Sequence, residues 1–285
     1  MLEGLVSGLV TGAAYALIGV SVVILHRLVG VLDFSQAAIG SLGAFTTYAV
    51  VQHGVPLEPA VLFGVTAAAL AAGLVGWAVT RWLGNADVLA RSTATIALLI
   101  LLLSVGFRLF GDSPRVTPSL VPEETTAVLG VNVSTSTFLS LVLVLAVLAA
   151  WTFLQRRTTL GIRLQAIAER PVTAQLLGVD ANRLRMGAWI AVGVLSALAI
   201  LLIAPTQNPT FLTMSLLVVP GLAAGLIGGL ENAGLAAAGG LAMGALQGLG
   251  ARVELIAGYR GALPFVVIVL VLAWLRRRET WARDD

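Results

Sequence analysis

Apolar stretches follow one another along almost the whole chain, near residues 4–25, 33–52, 59–82, 92–110, 137–154, 186–204, 214–229, 232–250 and 262–275. The hydrocarbon core of a bilayer, about 30 Å thick, is crossed by about 20 residues of helix. Lipid offers no hydrogen bonds, so each crossing must satisfy its own backbone, and runs of this length do so as helices. The sequence therefore predicts an all-α fold, a polytopic transmembrane helical bundle of about 8–9 membrane segments in a single domain, 1–285. Composition agrees: 58% of residues are hydrophobic and 11% charged, against about a quarter charged in a soluble domain. The seventh stretch is short and ends Leu226-Ile227-Gly228-Gly229-Leu230, and a polar corner at Glu231-Asn232 nearly fuses it to the eighth. That pair reads as two spans or as a re-entrant pair, so re-entrant or broken helices belong to the expectation. The start, Met1-Leu2-Glu3-Gly4, lacks the basic flank of a cleaved signal peptide and is expected to remain.

Basic residues near membrane segments stay in the cytoplasm. All 17 basic residues are Arg, and the densest internal group lies in 155–185. Placing that loop inside, nine alternating crossings put the N-terminus outside and the C-terminus inside. Only Arg108, Arg115, Arg252 and Arg260 then fall outside. The external segment 111–136, with Pro114, Pro118 and Pro122, reads as a loop or short hairpin. Trp77, Trp82, Trp151, Trp189 and Trp274 lie toward helix ends, as an interfacial aromatic belt would.

The residues argue against chemistry within the chain. Without Cys there is no disulfide and no thiolate metal site. Without Lys there is no ordinary Walker A loop, so any ATP must be bound by another chain. His26 and His53 sit at helix ends with no second ligand in view. No catalytic cluster, metal site or cofactor is expected, and the basic balance orients helices rather than binding nucleic acid. Asp33 has two readings: a solvated interface residue beside Arg27, or a gate or pathway residue, because carboxylates within membrane segments are costly and usually functional. Gly4, Gly8 and Gly12, and Gly240, Gly244 and Gly248, form small-residue faces that serve close helix packing or a sliding interface.

The loop from Thr159 to Asp180 is the most informative segment. Pro171 suits the first position of a helix and Gly178 the position past its end. Val172 and Leu176 share one face, with Leu177 beside it. Such a two-turn helix is marginal alone in water and must dock on lipid or on a protein partner. The loop resembles the coupling segment of permease subunits of branched-chain amino acid ABC importers, through Thr159, Gly161, Ala166, Ala168, Glu169, Ala174, Leu176, Leu177, Gly178 and Val179. The start is similar as well, through Gly4, Gly12, Tyr15, Ala16, Leu17 and Ile18, and so are Gly228-Gly229 and Gly239-Gly240. Two places depart from the family: Asp33-Phe34-Ser35-Gln36-Ala37 where N-F-A-H-G is usual, and Glu231-Asn232 where small residues are usual.

The resemblance implies a permease subunit moving a small amino-acid-like solute inward by alternating access. Its implied partners are cytoplasmic ATPase subunits, a second permease subunit, homo- or heteromeric, an extracytoplasmic substrate-binding protein and the lipid bilayer of a bacterial inner membrane. ATPase coupling would fall on Glu169, Arg170, Pro171, Val172, Leu176, Leu177 and Gly178. Polarity within or beside apolar spans nominates Tyr15, Asp33, Phe34, Ser35, Gln36, Thr93 and Thr95 for the translocation pathway. A urea or short-amide permease, an ion-coupled secondary transporter and an intramembrane enzyme are the alternatives. The last two lack mid-span carboxylates and a catalytic cluster respectively.

Overall fold

The first helix, α1 (Leu2–Val29), is apolar all round, the pattern of a helix enclosed on every side. In the computed structural model, which describes residues 2–84, 86–115, 117–120, 124–128, 131–207, 209–251 and 258–281, residues 12–25 of α1 are all buried and the helix is the axis of a bundle. Around it run α2 (Gln36–Gln52), α3 (Leu57–Leu83), α4 (Val88–Phe110), α5 (Thr135–Arg157), α6 (Thr159–Glu169), α7 (Pro171–Leu176) and α8 (Ala181–Ile203), then α9 (Phe211–Ser215), α10 (Val218–Ile227), α11 (Ala233–Gly250) and α12 (Leu263–Trp281). Six segments are long and apolar enough to cross a membrane: those of α1, α3, α4, α5, α8 and α11. Segments 211–227 and 263–273 are apolar but shorter, and α2 has 17 residues.

Small residues set the packing. A Cβ on Gly8 would strike the carbonyl oxygen of Gly244, and one on Gly12 would lie 2.9 Å from that of Leu241. The backbones of α1 and α11 thus touch along an antiparallel seam. Gly221 and Gly225 of α10 fit against Ile18 and Val22 of α1, and Gly43 of α2 meets Gly64 of α3. Trp189 of α8 lies in the space left by Gly76 of α3 and is fully buried, so it is not a belt residue; only glycine leaves room for an indole there. Trp77 and Trp82 are exposed, as a belt requires.

The seventh apolar stretch is broken. Pro220 has no N–H to offer the carbonyl of Leu216, and residues 216–217 form a turn between α9 and α10. α10 then ends in a left-handed turn, with Gly229 at φ 62° and its N–H donating to Leu226 O at 2.9 Å, and Leu230 N–H donating to Gly225 O at 2.9 Å. Asn232 begins α11 by accepting from Leu235 N–H at 3.0 Å. The polar corner is therefore a capped turn between two helices.

The two ends of the bundle sort by contact. At one, which carries α7, Arg91 donates to Val29 O, Arg27 donates to Glu231 O, and the ends of α1, α5 and α6 meet the α10–α11 corner. At the other, Phe45, Phe110 and Phe211 cluster with ring centroids 5.5–5.9 Å apart, and Arg115 lies over Tyr48 and donates its N–H to Pro209 O. Of the two readings of 111–136, a loop or a short hairpin, the described residues show a hairpin, with strands Thr125–Val128 and Val131–Ser134 paired antiparallel.

Candidate functional site

The loop between α5 and α8 forms two helices where the sequence pointed to one. Thr158 opens α6 by accepting from Gly161 N–H at 3.1 Å. Gly161, Leu164 and Ile167 are its buried side, at spacings of three. That threonine cap before a periodic apolar face was the available signal for α6. α7 follows at once, with Pro171 in its first position. Its end is closed by Gly178 at φ 83°, with Gly178 N–H donating to Gln175 O at 2.9 Å and Val179 N–H to Ala174 O at 3.0 Å. This paired closure needs a left-handed residue, which glycine adopts without strain.

So short a helix is held by docking. Ala174 is buried against Ile167 of α6 and Ala181 of α8. What remains faces away from the chain: Val172, Leu176 and Leu177 are 70%, 84% and 79% exposed. Glu169 and Arg170, between α6 and α7, are exposed too. Three large apolar side chains thus stand in the open on a helix fixed at both ends, outside this chain's own core. The same loop starts α8, where Asp180 accepts from Arg183 N–H at 3.1 Å and pairs with its guanidinium at 2.9 Å.

The stretch between α1 and α2 corrects the interface reading of Asp33. Asp33 is 1% exposed, and Arg27 donates instead to Glu231 O. The segment folds inward because the first turns of α4 supply its backbone partners: Leu32 N–H donates to Ser92 Oγ at 3.2 Å and Phe34 N–H to Thr95 Oγ1 at 3.1 Å. One Asp33 oxygen accepts from Ser35 N–H at 2.8 Å and from Ser35 Oγ at 2.6 Å. The other, Oδ2, is buried without a partner, as is Oε1 of Gln36, whose Nε2 donates to Ile18 O at 3.4 Å.

Of the residues nominated for the pathway, Asp33 and Ser35 thus bond each other, and beside them Phe34 N–H donates to Thr95, the four forming one knot along the chain. Gln36 is tied to α1, and Tyr15 donates to Gln247 Oε1 across the α1–α11 seam at 2.8 Å. Thr93 stands apart on the exposed side of α4, donating to Leu89 O of its own helix. Ser92 belongs to the knot and was missed. Helical spacing could have found it, since 92 and 95 share a face and 93 does not.

A family model described as "Branched-chain amino acid transport system / permease component" matches residues 4–272. The high-affinity branched-chain amino acid transport system permease protein BraD of Pseudomonas aeruginosa is 23% identical, over 95% of this chain and 92% of that protein. The probable branched-chain amino acid transport permease protein LivH of Methanocaldococcus jannaschii is 29% identical over 75% of this chain and 69% of its own. LivH of Salmonella typhimurium is 24% identical over 95% of this chain and 92% of its own. A solved structure, PsaBC from Streptococcus pneumoniae in complex with Fab, covers 93% of this chain and 88% of that chain at 16% identity, with a TM-score of 0.47, too low to argue from. With nearly its full length matched and its apolar helices arranged as a multi-pass bundle, the chain belongs to the permease-component family of branched-chain amino acid ABC transport systems.

Proposed function

We propose that this chain forms part of the translocation pathway of an ABC importer in a bacterial inner membrane, admitting a hydrophobic amino acid delivered by an extracytoplasmic binding protein. The observation that carries the reading is α7, a helix closed at both ends with Val172, Leu176 and Leu177 turned away from the chain. On this reading a cytoplasmic ATPase subunit covers that surface, contacting Glu169, Arg170, Pro171, Val172, Leu176, Leu177 and Gly178. ATP-driven closure of the ATPases shifts α7, and α6 and α8 carry the motion into the bundle. A second permease subunit completes the pathway on this reading. Its candidate elements are Tyr15, Asp33, Ser35, Gln36 and Thr95, buried in the single chain and therefore reached only when helices part, and the half-buried Phe34. Thr93 would reach it only through a neighbouring subunit.

The proposed topology has nine crossings, with α2, 211–227 and 263–273 added to the six long segments. Contacts at the two bundle ends support it, because residues expected on one side of the membrane meet one another. The chain is cysteine-free, so single cysteines test it directly. One at Ser119 should react from outside and one at Gln165 should not; the reverse would sink the orientation.

Few fixed charges lie within the spans, which suits a solute of zero net charge better than a phosphate ester. Reconstitution with the ATPase and binding protein, with leucine, urea and a sugar in competition, tests the substrate. Leucine uptake is expected. Uptake of urea alone would move the assignment to short amides, and uptake of the sugar alone would refute both.

A further inference from the structure

At the α7 end a cavity of about 860 Å³ opens between the last turns of α1 and α5, the end of α6 and the α10–α11 corner. Arg27, Arg156, Glu169 and Glu231 line it beside His26 and Trp151, and all four charged residues but the half-buried Arg27 are exposed. These charges do not pair with one another: among the described residues the ion pair is Arg183 with Asp180, and Arg27 donates only to a backbone carbonyl, at 3.3 Å. The wall continues along α5 into a second depression of about 490 Å³, bordered by Leu145, Ala149 and Phe153, and the two share Leu148, Thr152 and Arg156. From Leu145 to Arg156 the helix rises about 17 Å, and this face is apolar on a helix of membrane length.

A cavity lined by charges of both signs fits a ligand carrying both, and the adjoining apolar strip fits a hydrocarbon chain. We propose that the cavity and groove hold one phosphatidylethanolamine molecule, its phosphate on Arg27 and Arg156, its ammonium toward Glu231, and an acyl chain along α5. Guanidinium forks suit phosphate oxygens. A primary ammonium has N–H donors for carboxylates, a choline headgroup has none, and a glycerol headgroup has no cation. Trp151 marks the headgroup level. The lipid would brace α6, and through it α7, against α1 and the corner. The inference rests on the chain lying in a membrane and not on its substrate.

The full-length chain, purified in detergent and stripped of lipid, should retain dioleoyl phosphatidylethanolamine about tenfold better than the phosphatidylcholine or phosphatidylglycerol analogue when binding is counted by native mass spectrometry. Glu231→Gln should reduce that preference sharply, Arg27→Gln with Arg156→Gln should remove binding of all three, and Ala149→Trp should block the groove with the charges intact. Equal retention of the three lipids, a preference for phosphatidylglycerol, or an unchanged preference in Glu231→Gln would each overturn the proposal. Soluble phosphoethanolamine binding as tightly as the lipid would also overturn it, by removing the role of the acyl chain. Should the double arginine variant fail to fold, the headgroup series on the unaltered chain still decides. None of these outcomes bears on which solute is transported.

Discussion

The α1–α11 seam and the α6–α7 segment treat their side chains in opposite ways. Along the seam small residues face small residues, and a Cβ on Gly8, Gly240, Gly244 or Gly248 would meet the backbone of the other helix. On α7 the large residues Val172, Leu176 and Leu177 face nothing in the chain. Both patterns are apolar and helical in sequence. The seam is finished within the chain, so it needs no partner to explain it. The α7 surface is unfinished, and so it is the place to look for one. This favours the packing reading of the Gly4–Gly12 and Gly240–Gly248 faces, and it leaves the residues proposed for coupling on a surface that packing does not use.

The sharpest way to break that contrast is to put bulk into the seam. Gly244→Leu should cost about 3 kcal/mol, seen as loss of the monodisperse folded species in detergent and a large fall in thermal midpoint. A seam that slides would tolerate the change and lose uptake alone, and that result would restore the gating reading. The α7 surface should behave in reverse. Leu176→Asp with Leu177→Asp should leave the thermal midpoint almost unmoved, since exposed substitutions usually stay within about 0.5 kcal/mol. Co-purification with the ATPase should fall by more than about tenfold. Undiminished co-purification would assign the face to lipid instead.

A smaller effect separates backbone strain from position. Gly178 and Gly54 both have positive φ, 83° and 86°, and neither has an atom within 4 Å of a would-be Cβ. Ala at either should cost about 1 kcal/mol, so thermal midpoints should fall alike. Gly178→Ala should also reduce ATP-driven uptake, because it loosens the closure of α7, whereas Gly54→Ala should not. Equal uptake in the two would detach α7 geometry from transport. Between seam and loop, Asp33 offers a graded pair whose milder member should have a small effect. Asn keeps an acceptor for Ser35 and should change stability by less than about 1 kcal/mol, whereas Ala loses both hydrogen bonds and should cost about 2 kcal/mol. An Asn variant as damaged as the Ala variant would mean that the carboxylate charge itself is required.

Local constraints were legible in the sequence, and neighbours were not. Apolar runs set the helices because an unpaired backbone group in lipid is too costly. Pro171 and Gly178 set the limits of α7 because one lacks an N–H and the other accepts positive φ. Such effects act within a few residues, so the residues themselves report them. Only the tertiary structure decided that Asp33 is buried while its neighbours Leu32 and Phe34 bond Ser92 and Thr95, that Trp189 fills the gap beside Gly76, and that Thr93 stands apart from Thr95. The physical reason is that an apolar side chain satisfies lipid and a neighbouring helix about equally. In a chain this apolar, burial is fixed by which small residues let two backbones meet, and that choice involves residues far apart in sequence.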